Sequence, residues 1–247
     1  NYLTDIVEIA RAMGLSAGVV ICDESETMSI NTRAQLAEAE AAFQARARAE
    51  ALENGVTLTA PETVFFALDT HIGRDAIVGA NVLFGPRVTV ESGAEIKGFC
   101  HLEDCHISRG ATVGPFARLR SGAELAENVH VGNFVEIKNT ILDEGVKVGH
   151  LTYLGDADVG EFTNIGAGTV TCNYDGVMKH RTRIGKRGFI GSDTMLVAPV
   201  ALGNDVLTAS GSVITQDVPD GALALGRARQ INKPGLATKI MDRLRAI

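Results

Sequence analysis

An apolar residue recurs at every sixth position from Ile72 to Val218, and few chain architectures tolerate that period. The register runs Ile72, Val78, Phe84, Val90, Ile96, Leu102, then after a five-residue step Ile107, Val113, Leu119, Leu125, Val131, Ile137. It continues as Leu142, Val148, Leu154, as Val159, Ile165, Thr171, and after an insertion as Ile184, Ile190, Leu196, Leu202, Thr208, Ile214. The next residue is often Gly, as at Gly79, Gly132, Gly149, Gly166 and Gly191. A period of six fits neither a helix face nor an ordinary alternating strand. It fits short strands joined by regular corners, the hexapeptide pattern of a parallel β-helix. The apolar residue points inward, and the small residue after it permits a tight backbone. An all-β sandwich would instead show turn signals every 8–12 residues or so.

The ends of the 247-residue chain lie outside the array. Thr4–Met13 reads as a short helix stopped by Gly14, and residues 17–22 as a buried strand. One helix and one strand cannot bury a core alone, so residues 1–30 read as the end of an α/β domain. Residues 31–58 hold a long, mostly polar linker helix, expected over 32–54 with Asn31 as its cap and Gly55 as its stop. Residues 59–225 carry the β-helix, and residues 226–247 a C-terminal arm in which Leu236–Ala246 form an amphipathic helix.

Composition narrows the partners. Trp is absent and the formal net charge is −7, which disfavours nucleic acid. Basic residues nevertheless cluster at Lys179, Arg181, Arg183, Lys186 and Arg187, and again from Arg227 to Arg245, an arrangement suited to a polyanionic ligand. Cys22, Cys100, Cys105 and Cys172 lack metal-site spacing. With no signal peptide and no apolar run long enough to span a bilayer, a reduced cytoplasmic protein without membrane insertion is expected.

If three hexads make one coil, positions three hexads apart stack at about 4.8 Å. One such column holds Arg120 and Lys138, two cations whose repulsion a phosphate between them would relieve. Another runs through His150, Ala167, Ser192 and Ser210: an imidazole followed by small residues, a narrow groove with a base at one end. The large interruption, Cys172–His180, falls beside these columns, and insertions in solenoids emerge as loops, often on the binding face.

The segments Gly114–Arg120, Val131–Lys138, His150–Asp156, Asn164–Thr169, Thr171–Gly176 and Gly191–Thr194 closely resemble the bacterial bifunctional N-acetylglucosamine-1-phosphate uridyltransferase / glucosamine-1-phosphate N-acetyltransferase family. Tyr2-Leu3-Thr4-Asp5 resembles the end of that family's nucleotidyltransferase domain. The resemblance implies a left-handed β-helix with three hexads per coil, and a homotrimer with sites between subunits. It implies His150 as the general base that takes a proton from glucosamine 1-phosphate, whose amine attacks acetyl-CoA. Glu136 would orient the imidazole, and Asn173 would support catalysis. Arg120, Lys138, Tyr153, Asn164 and Lys179 match sugar-phosphate contacts. Ala167, Asn173, Tyr174, Ser192, Ser210 and Arg227 match acetyl-CoA contacts. The family's uridylyl transfer uses Mg²⁺ in an N-terminal domain whose Gly-rich loop is not in this sequence, so acetyl transfer without uridylyl transfer is expected, as one step of UDP-N-acetylglucosamine biosynthesis. The tail from Gln230 onward and Ser210 depart from the family's usual residues.

Three other readings compete: a hexapeptide acyltransferase for another amine or acyl-CoA, a zinc hydro-lyase, and a structural trimerisation module. The second needs three converging His, but His130 and His150 occupy different hexad places. No metal is expected in this chain.

Overall fold

The computed structural model describes residues 3–246; Tyr2, part of the Tyr2–Asp5 match, lies outside the described residues. The chain divides into two compact units, Asn1–Ala47 and Arg48–Ile247.

In the first unit, α1 (Asp5–Ala12) carries Asp5 and Glu8 in its first turn and Arg11 in its last, the order that complements a helix dipole. Gly14, at φ +76°, follows its end. The strand expected over 17–22 does not form, and Val19, Val20 and Ile21 are each about nine-tenths exposed (91%, 90% and 94%). A strand needs a neighbouring ladder, and no partner strand for it occurs among the described residues. The long helix α2 (Arg33–Glu53) starts one residue later than expected. Thr32, not Asn31, receives the Gln35 N–H on its hydroxyl at 3.2 Å, while the Gln35 side chain accepts the Asn31 and Thr32 N–H groups at 2.8 and 3.1 Å. That reciprocal pattern is a capping box. Gly55, at φ +85°, follows the helix end.

The second unit is a solenoid of about nine coils in which the ladders between coils are parallel. The first face is a ten-stranded sheet running from Thr57–Leu58 to Leu223–Ala224. The other two faces merge into one fourteen-stranded sheet, because the strands Glu136–Leu142 and Tyr153–Val159 turn a corner and belong to both. Leu119 pairs with Ile137, Val148 with Ile165 and Ile190 with Thr208, so vertical neighbours are three hexads apart.

Of the register residues from Ile72 to Ile214, all but Ile72 are buried. A second inward column stands two residues before the first: Val82, Val88, Ala94, Ala111, Ala123, Val135, Val146 and Thr163, also buried. Each coil thus fills its interior from two positions per side, which close packing requires. Higher up, this second column turns to Thr, whose hydroxyls bond back to the backbone. Thr169 donates to the Gly166 carbonyl at 2.7 Å and Thr194 to that of Gly191 at 2.6 Å. The buried Thr182 hydroxyl has no hydrogen-bond partner among the described residues. Thr182→Val is therefore expected to stabilise the fold by about 1 kcal/mol, read as a higher unfolding midpoint. Thr171→Val should do the opposite, because the Thr171 hydroxyl both accepts the Gly155 N–H at 2.7 Å and donates to the Gly155 carbonyl at 3.0 Å.

The corner between the first and second faces demands left-handed backbone. Phe99, Phe116, Phe134 and Leu151 occupy it with φ of +63°, +56°, +55° and +49°. The three rings stack with centroids 4.9 and 5.2 Å apart, an attraction that offsets part of the conformational strain. Burial raises the Cys100 and Cys105 thiols, that of Cys105 to about 12, which leaves them unreactive packing groups. The C-terminal helix α3 (Leu236–Arg245) forms as the sequence suggests, and its residues are exposed.

Candidate active site

The expected site residues fall into two groups, held at different corners of the solenoid.

The first group lies where the second face meets the third. Arg120 and Lys138 are vertical neighbours, as the column argument required. Arg120 donates to Glu136 at 2.6 Å. Lys138 reaches both oxygens of Asp156, at 3.1 and 3.3 Å. Lys179 comes close enough that its ammonium is held below the usual lysine range, chiefly by contact with Lys138 and its charge, with Arg120 contributing. Three cations therefore converge where, among the described residues, Glu136 and Asp156 are the direct counter-charges. Such a cluster favours a further anion. The Tyr153 hydroxyl and the Asn173 amide lie over Gly155, so a side chain at Gly155 would strike both.

Lys179 is delivered by the insertion, which folds as a small hairpin: Tyr174 and Lys179 form an antiparallel bridge. Asp175 ties the turn together. Its carboxylate accepts the N–H groups of Val177 and Met178 at 2.8 and 2.7 Å and meets the His180 ring at 2.7 Å. His180 first, then those two N–H groups, hold the Asp175 carboxyl well below the carboxylate range. Arg181, paired with Asp158, fixes the base of the hairpin.

The second group forms a ladder along the first face. The pairings Val148–Ile165, Ile165–Ile190 and Ile190–Thr208 stack His150, Ala167, Ser192 and Ser210 in that order. Ser192, Ser210 and His150 are exposed and Ala167 is half-buried, so the ladder is an open strip of small side chains. Arg227 lies beside Gly211 at the top of this strip. Asn164 stands on the same face, three positions before the ladder, above Lys147.

His150 does not contact Glu136. Its Nδ1 lies 2.7 Å from Oδ1 of Asn133, one coil below in the same ladder. Glu136 turns instead to Arg120, two residues along the strand one coil below. An amide oxygen only accepts, so Nδ1–H is the donor in this bond, and in the neutral imidazole Nε2 then carries the lone pair. Asn133 escaped the sequence reading, which stacked the column upward from His150 and not downward. Asp156 and Asn139 also escaped it, because their role appears only once Lys138 has a position. No cluster of three or more His, Cys, Asp or Glu side chains able to hold a metal ion occurs among the described residues.

No family model matches the chain. Curated relatives match it along nearly its whole length. It is 75% identical over 244 residues to the bifunctional protein GlmU of Paracoccus denitrificans, covering 99% of this chain and 55% of that protein. It is 79% identical over 245 residues to the GlmU of Cereibacter sphaeroides strain ATCC 17023, covering 99% and 54%. The sequence is thus similar to one part of these bifunctional proteins. It spans about half the length of the GlmU proteins it matches. Among solved structures, LpxA from Acinetobacter baumannii aligns with a TM-score of 0.50 at 17% identity, covering 76% of this chain and 77% of that one. That likeness is one of fold: the chain is a left-handed parallel β-helix of the hexapeptide kind.

No helix among the described residues is long and apolar enough to cross a membrane.

Proposed function

We propose that the chain transfers an acetyl group from acetyl-CoA to the 2-amino group of glucosamine 1-phosphate, forming N-acetylglucosamine 1-phosphate. The observation that carries this reading is the convergence of Arg120, Lys138 and Lys179 in a chain whose imidazole is held with one nitrogen free to accept a proton. The near-complete match to bifunctional GlmU proteins supports it.

The cations hold the phosphate of the acceptor. Tyr153 and Asn173, packed above Gly155, face the sugar. Nε2 of His150 takes a proton from the acceptor's ammonium, which is not nucleophilic until it is freed. The amine attacks the thioester carbonyl, the tetrahedral oxyanion collapses, and coenzyme A leaves as the thiol once protonated. The strip of Ala167, Ser192 and Ser210 is the lane for the pantetheine arm, where small side chains leave room for a thin ligand beside an exposed strand. Arg227 at its top and Tyr174 on the hairpin flank the donor, and the Ser192 hydroxyl or a backbone N–H is the oxyanion donor.

Within one chain His150 and Lys138 are separated by a corner and the width of a face, on the order of 10 Å. A single glucosamine 1-phosphate does not bridge that gap comfortably. The site is therefore completed between copies, one supplying the cations and the next the imidazole, in a homotrimer. Asn164, outside both groups in one chain, contributes across the same interface.

The direct test is release of coenzyme A from acetyl-CoA in the presence of glucosamine 1-phosphate. Replacing the acceptor by glucosamine should abolish most of the activity. Arg120→Ala should raise the acceptor KM by about 10–100-fold, the loss of one charge-assisted hydrogen-bonding group. An unchanged KM would remove the phosphate cradle, and equal activity on glucosamine would favour an acyltransferase for another amine.

A further inference from the structure

Asp156 carries more than the pairing of one lysine. Its side chain is only 9% exposed, and that of Lys138 only 11%. The carboxylate collects three donors from the coils below and above: Lys138, the Asn139 amide at 2.6 Å, and the Asn173 amide. Lys138 and Asn139 come from the coil below, and Asn173 opens the hairpin that delivers Lys179. Burial pushes the Asp156 carboxyl up, and the bonds from Asn139, Asn173 and Lys138 more than offset it, so it stays ionised. It is thus the one buried anion among three cations and two amides, and it joins the acceptor cluster to the base of the hairpin.

We infer that Asp156 is a positioning residue for acceptor binding: it fixes the ammonium of Lys138 and the amide of Asn173 in register, so that the phosphate meets a preformed cradle. The inference rests on the acceptor assignment above. Asp156 touches no reacting atom, so its removal should act on the acceptor KM and spare the acetyl-transfer step. An Asn at this position has a single acceptor oxygen for three donors and turns an N–H₂ toward one of them, so the cradle loosens without a large change in volume.

The test is a double-mutant cycle of Asp156→Asn and Lys138→Met in the coenzyme A release assay, with melting curves for each variant. Lys138→Met alone is expected to raise the acceptor KM at least about tenfold. Asp156→Asn alone should raise it about 5–30-fold, with kcat within about threefold of the parent. In the Lys138→Met background Asp156→Asn should add no more than about twofold, because its effect runs through Lys138. Should Asp156→Asn fail to fold, Asn139→Gly serves, since Gly accepts the φ of +46° found there and deletes one of the three donors; a KM rise of about threefold is expected. An unchanged acceptor KM in the folded variant, or full additivity in the cycle, overturns the inference. If Lys138→Met itself leaves the acceptor KM unchanged, the acceptor assignment falls, and this inference with it.

Discussion

His150→Ala lowers kcat by about 10²–10⁴ while the protein stays folded and acetyl-CoA still binds; this is the expected result if the imidazole is the general base. The side chain is exposed and its described hydrogen bond is the one to Asn133, so its loss leaves no buried group stranded. Stability should move by less than about 1 kcal/mol. The measurement is steady-state coenzyme A release, paired with a melting curve and a binding titration of acetyl-CoA. Turnover at the parental rate would sink the mechanism. His150→Gln is a sharper probe than Ala, because it can accept the hydrogen bond of an amine but cannot carry its proton away; it should be nearly as slow.

Gly132→Ala is expected to produce the largest structural effect of a one-carbon change in this chain. A Cβ at Gly132 would land on the carbonyl oxygen of Gly149, one coil above. The obstacle is backbone, so no side-chain rotation relieves it, and the two coils must separate. Overpacking of this kind costs about 1–3 kcal/mol or more, read as a lower unfolding midpoint in denaturant. The functional cost follows from position. Gly132 precedes Asn133 and Gly149 precedes His150, so the displacement opens the Asn133–His150 contact. Activity should fall even where the variant is folded, and by more than the small volume change suggests. Gly149→Ala is the control: nothing lies near a Cβ there, and the variant should stay close to the parent in stability.

The fold was legible because one column of the interior is made of large apolar residues, which repeat audibly in sequence. The second inward column was not, because Ala94, Ala111, Thr163 and Ser212 are small or polar and leave no hydropathy signal, although all are buried. In the site, the Arg120–Lys138 pair and the ladder above His150 were legible from register alone. The Asn133 contact of His150 was not legible, since sequence distance does not tell which outward neighbour an imidazole will face. Asp156 was hidden for a deeper reason: an acidic residue in an acidic chain is unremarkable until three donors converge on it. The strand expected at 17–22 failed in the opposite direction. Its apolar run is genuine, but an apolar run does not say whether a partner ladder is present.

The order of coils along the solenoid axis has a further consequence. The anion cradle draws on coils from Arg120 to Asp156 and on the hairpin, while the strip of small residues climbs from His150 to Ser210. Under the proposed function, axial height works as a ruler, with the acceptor low, the donor high and the base at the shared mark. Each coil touches only the one beneath and the one above. An additional coil above Ser192 would lengthen the donor lane by about 4.8 Å and leave the cradle where it is. Reach for the donor and grip on the acceptor are thus separately adjustable quantities in one short chain.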